Sequence, residues 1–519
     1  MKVLIPTSGC GSRLDYLTKY TNKALVKVGD EAVISHIIDL YPNGEFVITL
    51  GHFGDLVKQF LTLTYPKRKF EFVQVDLYCG RGSSLLKSIL YAKDKLQCPF
   101  IFHVCDTILK EQPPTPSYNW MLCSTSNKSG TFRTVIAKNE TIIKINEKGE
   151  RNYDYVYAGV AGIYEYKKFW NELTNIVNTS EIEDLSDCHV FSNLIKDTNI
   201  KTYVVQKWYD TGNIENLIET KQVYKQKYEV LDKYEESIYF IGDDVVKFFS
   251  DQSICKNRVK RSTLLSGLVP EVVGSSNNFY KYKLVNGELF SNIISEEKIH
   301  SLVDWAEKNL WTPINIDPSI FKKRCEDFYF TKTKSRIQDY LLLSGEEDKT
   351  EIINDIEVPS CDEILSHINK EYICTTKPVI FHGDFILDNI LYSDTFTLLD
   401  WRQDFAGEIE AGDKYYDLAK LNHNLIINHN IILKNGYNID TEGGGIKCDV
   451  FRSHRLLLCQ QVLMSILKER DYDIAKIKLL TPLIWLNMSP LHIYPLNKFL
   501  FYFGKYNLWR EVCLQQNYI

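Results

Sequence analysis

Two groups of residues in this chain have the types and spacing that phosphate chemistry needs. Gly9, Gly11, Ser12 and Arg13 fall together in LIPTSGCGSRL, and Lys23 follows in LTKYTNKALVKV. Glycines after a strand let backbone N–H groups come close to phosphate oxygens, and an arginine just beyond them adds a charge-assisted donor. Asp384, Asn389 and Asp400 are spaced along HGDFILDNILYSDTFTLLDW. Phosphoryl transfer from ATP to an alcohol uses an aspartate to take the proton of the attacking hydroxyl, with an asparagine and a second aspartate to hold Mg²⁺. A lysine upstream, here Lys247 in VVKFF, pairs with the nucleotide phosphates in that chemistry.

Those side chains need elements to carry them. KVLIP, EFVITL, FEFVQVDLY and PFIFHVCD are short apolar runs that alternate with the helical patterns AVISHIIDLY, DLVKQFLTL and GSSLLKSILYAKDKL. Strand and helix recurring in this order predict a largely parallel α/β sheet covered on both faces. Ligands then sit at the carboxyl ends of the strands, where the Gly9 loop and Asp106 fall. The polar stretch 223–235 reads as a linker or a connecting helix. Beyond it, SIYFIGDDVVKFF predicts two strands about a turn, then a helix to Leu265 and a strand in FYKYKLVNGELF. Helical patterns dominate from about Ile299, interrupted by a loop at HGDFILDNIL and a hairpin at FTLLDW. The chain therefore divides into 1–222, the linker, and 236–519, the last with a small lobe at 236–290 and a helical large lobe at 291–519.

The length agrees with this division, since 519 residues exceed what one core usually supports. A composition 44% hydrophobic and 25% charged is that of a folded, soluble protein. A net charge of -6 argues against nucleic acid as a partner, and the clusters KNRVKR and YPKRK read as solvated faces. MKVLIPTSGCG has neither signal-peptide nor transit-peptide character, so the mature chain is expected to start near Met1. The most apolar long stretch, Leu483 to Phe503, is broken by Asn487, Pro490, His492, Pro495 and Lys498. That falls short of the roughly 18 uninterrupted apolar residues of a membrane span. The 13 cysteines include no Cys-x-x-Cys pair and point to free thiols in a reducing, cytoplasmic setting.

GCGSRLDYLTKYTNKALV resembles the signature of the sugar-phosphate and phosphocholine nucleotidyltransferases, G-x-G-[ST]-R-[LM] followed by a proline-lysine pair. Asn22 stands where the proline usually is. The resemblance runs through Gly82-Ser83-Ser84, FIFHVCD ending in Asp106, INEKG with Glu147-Lys148, YAGVAGIY from Tyr157, and WYDTGNIENL with Asp210, over residues 1–222. It implies a Rossmann-like, GT-A-like fold in which Asp106 and Asp210 hold Mg²⁺, Arg13 and Lys23 clamp phosphates, and Gly82 and Ser83 lie against the base. Lys148 would meet the substrate phosphate. A phosphorylated substrate then attacks the α-phosphorus of a nucleoside triphosphate, by the resemblance CTP or UTP, and pyrophosphate leaves without any protein nucleophile. The residues by themselves leave Asp106 open as a helix cap, Asp210 as a turn former and Lys148 as a surface lysine.

HGDFILDNIL matches the pattern H-G-D-x-x-x-x-N-[IL]-L throughout and resembles the aminoglycoside phosphotransferase and choline kinase family, over about residues 236–430. This implies a two-lobed, protein-kinase-like α+β fold with Asp384 as base, Asn389 and Asp400 on Mg²⁺, Lys247 on phosphates, and KYKLVNGELF as an adenine-reading hinge. Asp417 in GDKYYDLAKL would buttress the catalytic loop. Two departures stand out. ICKNRVKRSTLL has no glutamate to pair with Lys247, and Arg402 follows Asp400 where relatives often carry an acid. Arg402 disfavours a quaternary ammonium acceptor and suits a hydroxylated or anionic one, unless it pairs with Asp404 or Glu408. Trp401, Tyr415 and Tyr416 read either as an aromatic cage for a cation or as core. Together the halves imply an enzyme that phosphorylates a small alcohol, amino alcohol or sugar with ATP and couples that phosphate to a second nucleotide. Two independent transferases, or an active nucleotidyltransferase with a degenerate kinase-like module, are the alternatives.

Overall fold

In the strand Lys2–Pro6, Val3 and Ile5 enter one apolar core and Leu4 another. The neighbouring strands repeat this parity, with Phe46 and Ile48 opposite Val47, and Ile101 opposite Phe100 and Phe102. A strand whose two faces are both apolar must be covered on both sides, the condition of a parallel sheet between helical layers. The computed structural model describes residues 1–125, 130–180, 185–228, 235–441 and 445–516. These form two compact units, Met1–Cys255 with Val273–Leu284, and Lys256–Val272 with Val285–Ile519.

The first unit is built on a nine-stranded sheet. Lys69–Gln74, Glu45–Leu50, Lys2–Pro6 and Phe100–His103 lie side by side and parallel. Tyr155–Ile163 then runs antiparallel to Phe100–His103 and starts a mixed half that contains Asn119–Ser124, Ile200–Val204, Thr141–Asn146 and Thr134–Lys138. The same unit holds an antiparallel sheet with Glu236–Ile241, Asp244–Phe249 and Phe279–Lys283. Tyr239, Val246, Phe248 and Phe279 share a core with Ile34 and Phe60. The Tyr239 hydroxyl donates to Leu25 O at 2.8 Å, and Asn278 N donates to Gln59 Oε1 at 2.9 Å. Strands that the sequence assigns to the small lobe 236–290 thus group with 1–222, because their apolar face is covered by the helix Gly54–Thr64. Of the predicted linker 223–235, residues 229–234 lie outside the described residues.

The second unit is mainly helical. Ile474–Met488 is apolar over most of its surface, and Leu479, Leu480, Leu483, Ile484, Trp485 and Leu486 are all buried, as in a helix largely enclosed by a core. Leu496–Gln515 packs against it through Phe499 and Phe503. The helical ends of the apolar stretch 483–503 are therefore core, while Leu491, Ile493 and Tyr494 between them are exposed, and among the described residues no helix is long and apolar enough to cross a membrane. Ile390–Tyr392 and Phe396–Leu398 form the hairpin that precedes Asp400. All 13 cysteines are free thiols.

Candidate active sites

Asp106 stands just past the carboxyl end of Phe100–His103, beside the loop that leaves the parallel neighbour Lys2–Pro6. Asp210 reaches it through a short antiparallel ladder in which Asp210 pairs with Thr107. Thr211 fastens the two segments, donating from its N–H and hydroxyl to Asp106 O at 2.8 and 3.1 Å. A methyl built on Gly212 would lie 3.3 Å from an Asp210 carboxylate oxygen, 3.4 Å from an Asp106 oxygen and 3.5 Å from an Arg13 guanidinium nitrogen. Both carboxylates and the guanidinium therefore face one point.

Lys23 Nζ donates to Asp106 Oδ2 at 3.0 Å. Asn22 holds the lysine there. Its buried amide donates to Thr7 O at 2.8 Å and His52 O at 2.5 Å, while its Oδ1 accepts from Ala24 N at 2.8 Å. A proline at this position has no side-chain amide for these bonds, so the departure at Asn22 has a structural use. Gly11 is required by both backbone and space, since its φ is +67° and a Cβ there would lie 3.1 Å from Lys23 Cβ.

Burial opposes the charge on each of these groups, and the pairing decides who keeps it. Burial pulls Lys23 down, but the Asp106 charge more than offsets it and holds the ammonium above its usual value. Burial likewise pushes Asp106 up, and Lys23 followed by Arg13 brings it below the ordinary carboxylate range. Asp210 goes the other way. Burial and then the neighbouring Asp106 charge push it up to about 6, against a 2.6 Å hydrogen bond from Asn216 Nδ2.

Gly9, Arg13, Lys23, Ser83, Asp106, Lys148 and Asp210 line a cavity of about 760 Å³. That is within the range of roughly 300–1,000 Å³ that holds ligands of nucleotide size. Gly11, Ser12 and Gly82 do not line it. Ser12 opens the turn Ser12–Thr18, and Gly82, at φ +89°, accepts from Lys87 Nζ at 2.6 Å. Arg133, Tyr157 and Asp187 also line the cavity, and the sequence does not single them out for a site. The Tyr157 hydroxyl donates to Asp187 Oδ2 at 2.6 Å across thirty residues, a pairing only the fold creates. Among the described residues no cluster of three or more His, Cys, Asp or Glu side chains can hold a metal ion. Two carboxylates about a common point still suit Mg²⁺, which keeps several waters and takes further oxygens from phosphates.

In the second unit the loop after Val379 is stapled by Asp417. Its carboxylate is fully buried and accepts from His382 N at 2.9 Å, Gly383 N at 2.7 Å and Trp311 Nε1 at 3.1 Å. Burial nevertheless leads and pushes Asp417 up to about 6. Gly383 has φ +87°, and a Cβ on it would lie 2.5 Å from Arg402 Cβ. Asn389 Nδ2 donates to Asp384 Oδ2 at 3.0 Å, and Leu399 N donates to Asn389 O at 2.7 Å. Asp384, Asn389 and Asp400 are thus on adjoining segments. Asp400 itself has φ +55°, a left-handed conformation that aspartate tolerates better than most residues.

Three cations that the sequence does not assign to the loop converge on it. Lys420 Nζ lies 2.7 Å from Asp384 Oδ1, and the Asp384 charge holds Lys420 above its usual value although burial pulls the other way. Arg258 is ion-paired with Asp400. Arg261 is buried and donates to the carbonyls of Phe381, His382, Arg402 and Ile409. Lys420 is three residues past Asp417 on the helix Lys414–Ile426, so i,i+3 spacing was the available signal. Arg258 and Arg261 share the helix Gln252–Leu264, where the expected glutamate is absent. Asp400 and Asn389 fit Mg²⁺ by donor type, with the Arg258 guanidinium already on one of the oxygens.

Lys247 is buried in Asp244–Phe249, which belongs to the first unit, whereas Asp384, Asn389 and Asp400 belong to the second. Arg402 pairs with neither Asp404 nor Glu408 through a carboxylate. Its Nε donates to Asp404 O at 3.0 Å, and its guanidinium carbon is 4.9 Å from the Phe328 ring centre. Trp401 is core, donating from Nε1 to Arg258 O at 2.8 Å.

No protein-family model matches this chain, and no curated protein does. Solved structures are similar to part of it. CTP:phosphocholine cytidylyltransferase from Streptococcus pneumoniae is 16% identical over 43% of this chain and 99% of its own, with a TM-score of 0.38. Inositol-1-phosphate CTP transferase from T. maritima is 18% identical over 44% of this chain and 98% of its own, with a TM-score of 0.35. A UDP-glucose pyrophosphorylase from Acinetobacter baumanii is 16% identical over 43% of this chain and 92% of its own, with a TM-score of 0.36.

Proposed function

We propose that this chain is a bifunctional transferase, in which the second unit phosphorylates a small alcohol with ATP and the first unit couples the resulting phosphate to CTP or UTP. The observation that carries the nucleotidyl step is the convergence of Arg13, Lys23, Asp106 and Asp210 on one cavity. Arg13 and Lys23 orient triphosphate oxygens and offset charge that grows as pyrophosphate departs, and Lys148 meets the incoming phosphate. Asp106 and Asp210 would hold Mg²⁺, which when bound neutralises the α-phosphate and aligns the leaving group. For the phosphoryl step, Asp384 accepts the hydroxyl proton, Lys420 fixes its carboxylate, and Asp417 holds the loop. Asn389 and Asp400 would hold the metal there.

Asp106→Asn is expected to abolish pyrophosphate release at least a thousandfold while ADP formation persists, and Asp384→Asn the reverse, both read by coupled assays on the full chain. If either variant keeps the activity assigned to its site, that assignment is wrong. One observation favours a second reading, a catalytically idle second unit that only supports its neighbour: Asp400 is already neutralised by Arg258. Under that reading no alcohol stimulates ADP formation.

A further inference from the structure

A second cavity, of about 130 Å³, opens in the second unit beside the Asp384 loop. It is smaller than the roughly 300–1,000 Å³ of pockets that hold drug-sized ligands, so it fits a small acceptor and not a nucleotide. Lys332, Arg336, Arg402 and Lys420 line it, and Lys420 also binds Asp384 at 2.7 Å. Leu480, Leu483 and Ile484 add an apolar part to the lining. Tyr416 is the one member of the Trp401, Tyr415, Tyr416 set that lines it.

The charge here is one-sided. Among the described residues Lys332, Arg336 and Arg402 have no carboxylate within ion-pair distance, while Lys420 has Asp384. Asp404, whose charge reaches Lys332 from outside the lining, accepts from Gly407 N at 2.9 Å through Oδ1. Lys332 and Arg402 both lie over the Phe328 ring, at 4.3 and 4.9 Å from its centre. Burial, and then Arg402, Arg336 and Lys420, lower the Lys332 ammonium well below its usual value. Three cations held together beside apolar side chains repel one another, and an anion among them removes that cost.

Resting on the phosphotransferase reading of this site, we propose that the alcohol it phosphorylates carries an anionic group, a phosphate, phosphonate or carboxylate, seated between Lys332, Arg336 and Arg402. Asp384 is not in the lining, and the free hydroxyl would extend past Lys420, whose ammonium joins the cavity to it. Its oxygen forms a bond to the γ-phosphorus of ATP as the bond from that phosphorus to the β–γ bridging oxygen breaks, ADP leaves, and the hydroxyl proton passes to the Asp384 carboxylate. Choline and ethanolamine, which would place a cation among cations, are excluded, and this narrows the acceptor to an anionic small molecule.

The test is ADP formation by the full chain with MgATP and paired acceptors: glycerol 3-phosphate against glycerol, 2-hydroxyethylphosphonate against ethanolamine and choline, and glycerate against glycerol, with products weighed by mass spectrometry. At least one anionic acceptor is expected to exceed its uncharged or cationic counterpart a hundredfold in kcat/KM. Arg336→Ala should raise its KM ten- to a hundredfold with kcat little changed, and Arg336→Lys should recover part of the loss. Preference for choline, ethanolamine or glycerol over every anionic acceptor overturns the inference and leaves the phosphotransferase reading standing. If no alcohol of any charge raises ADP formation above the Asp384→Asn level, both fall together.

Discussion

The two sites compensate their aspartates differently. In the first, Lys23 is bound to Asp106, while Asp210, pressed against Asp106, is raised to about 6. In the second, Asp384 and Asp400 each have their own cation, Lys420 and Arg258. On the proposed reading, a divalent ion at the first site would meet Asp210 already ionised above about pH 6. At the second, the ion would have to compete with Arg258 for Asp400. The cations there come from two helices, Gln252–Leu264 and Lys414–Ile426.

The largest way to break this comparison is at Gly212. Gly212→Ala puts a methyl 3.3–3.5 Å from both carboxylates and Arg13, so these groups give by a few tenths of an ångström, and pyrophosphate release is expected to fall roughly thirtyfold, because positioned groups tolerate small displacements poorly. ADP formation by the second unit should not change, and an equal loss in both assays would show a folding defect instead. A smaller effect is expected from Arg258→Met, which removes one cationic partner of Asp400. Mn²⁺ affinity of an Asp106→Asn background should then rise about tenfold by calorimetry, from one lost ion-pair competitor of about 1.4 kcal/mol. Unchanged affinity would mean that Arg258 does not compete with the ion.

The smallest effect is one of pH. If Asp210 holds the metal as proposed it must be ionised, so Mg²⁺ affinity at the first site is expected to be level above about pH 6 and to fall up to tenfold per unit below it. The sign reverses for the metal-free fold. A carboxyl raised from 3.8 to about 6 keeps its proton better folded than unfolded, so its contribution is present below 3.8 and lost as pH rises through about 6. Asp417, also at about 6, adds in the same direction. Metal titrations and melting curves between pH 4 and 8 would read the two signs separately.

Much of the first site was legible because its chemistry sits at the ends of strands whose apolar parity is plain: KVLIP and PFIFHVCD deliver Gly9 and Asp106 to one edge. Asp210 was legible only by resemblance, since nothing local in WYDTGN says which strand it will pair with. Asp187 left no signal, because its partner Tyr157 is on another element. In the second unit the spacing within HGDFILDNIL identifies a loop but not its counter-ions. Arg258 is 142 residues from Asp400 in sequence, and KNRVKR reads locally as a solvated face although Arg261 is buried. The small sheet was legible as strands and not in its allegiance, because an apolar strand face does not encode which helix will cover it. Here the cover is Gly54–Thr64.

That allegiance has a genetic consequence. The chain passes from one unit to the other at Cys255–Lys256, again at Val272–Val273, and again at Leu284–Val285. No single breakpoint in the coding sequence separates two self-sufficient folds. A cut within the predicted linker leaves Phe60 without the Tyr239, Phe248 and Phe279 side chains that complete its core. Recombination at one junction would therefore hand on a half with a missing wall, and a chain cut at the linker is expected to yield a less stable first half than one that keeps 236–284.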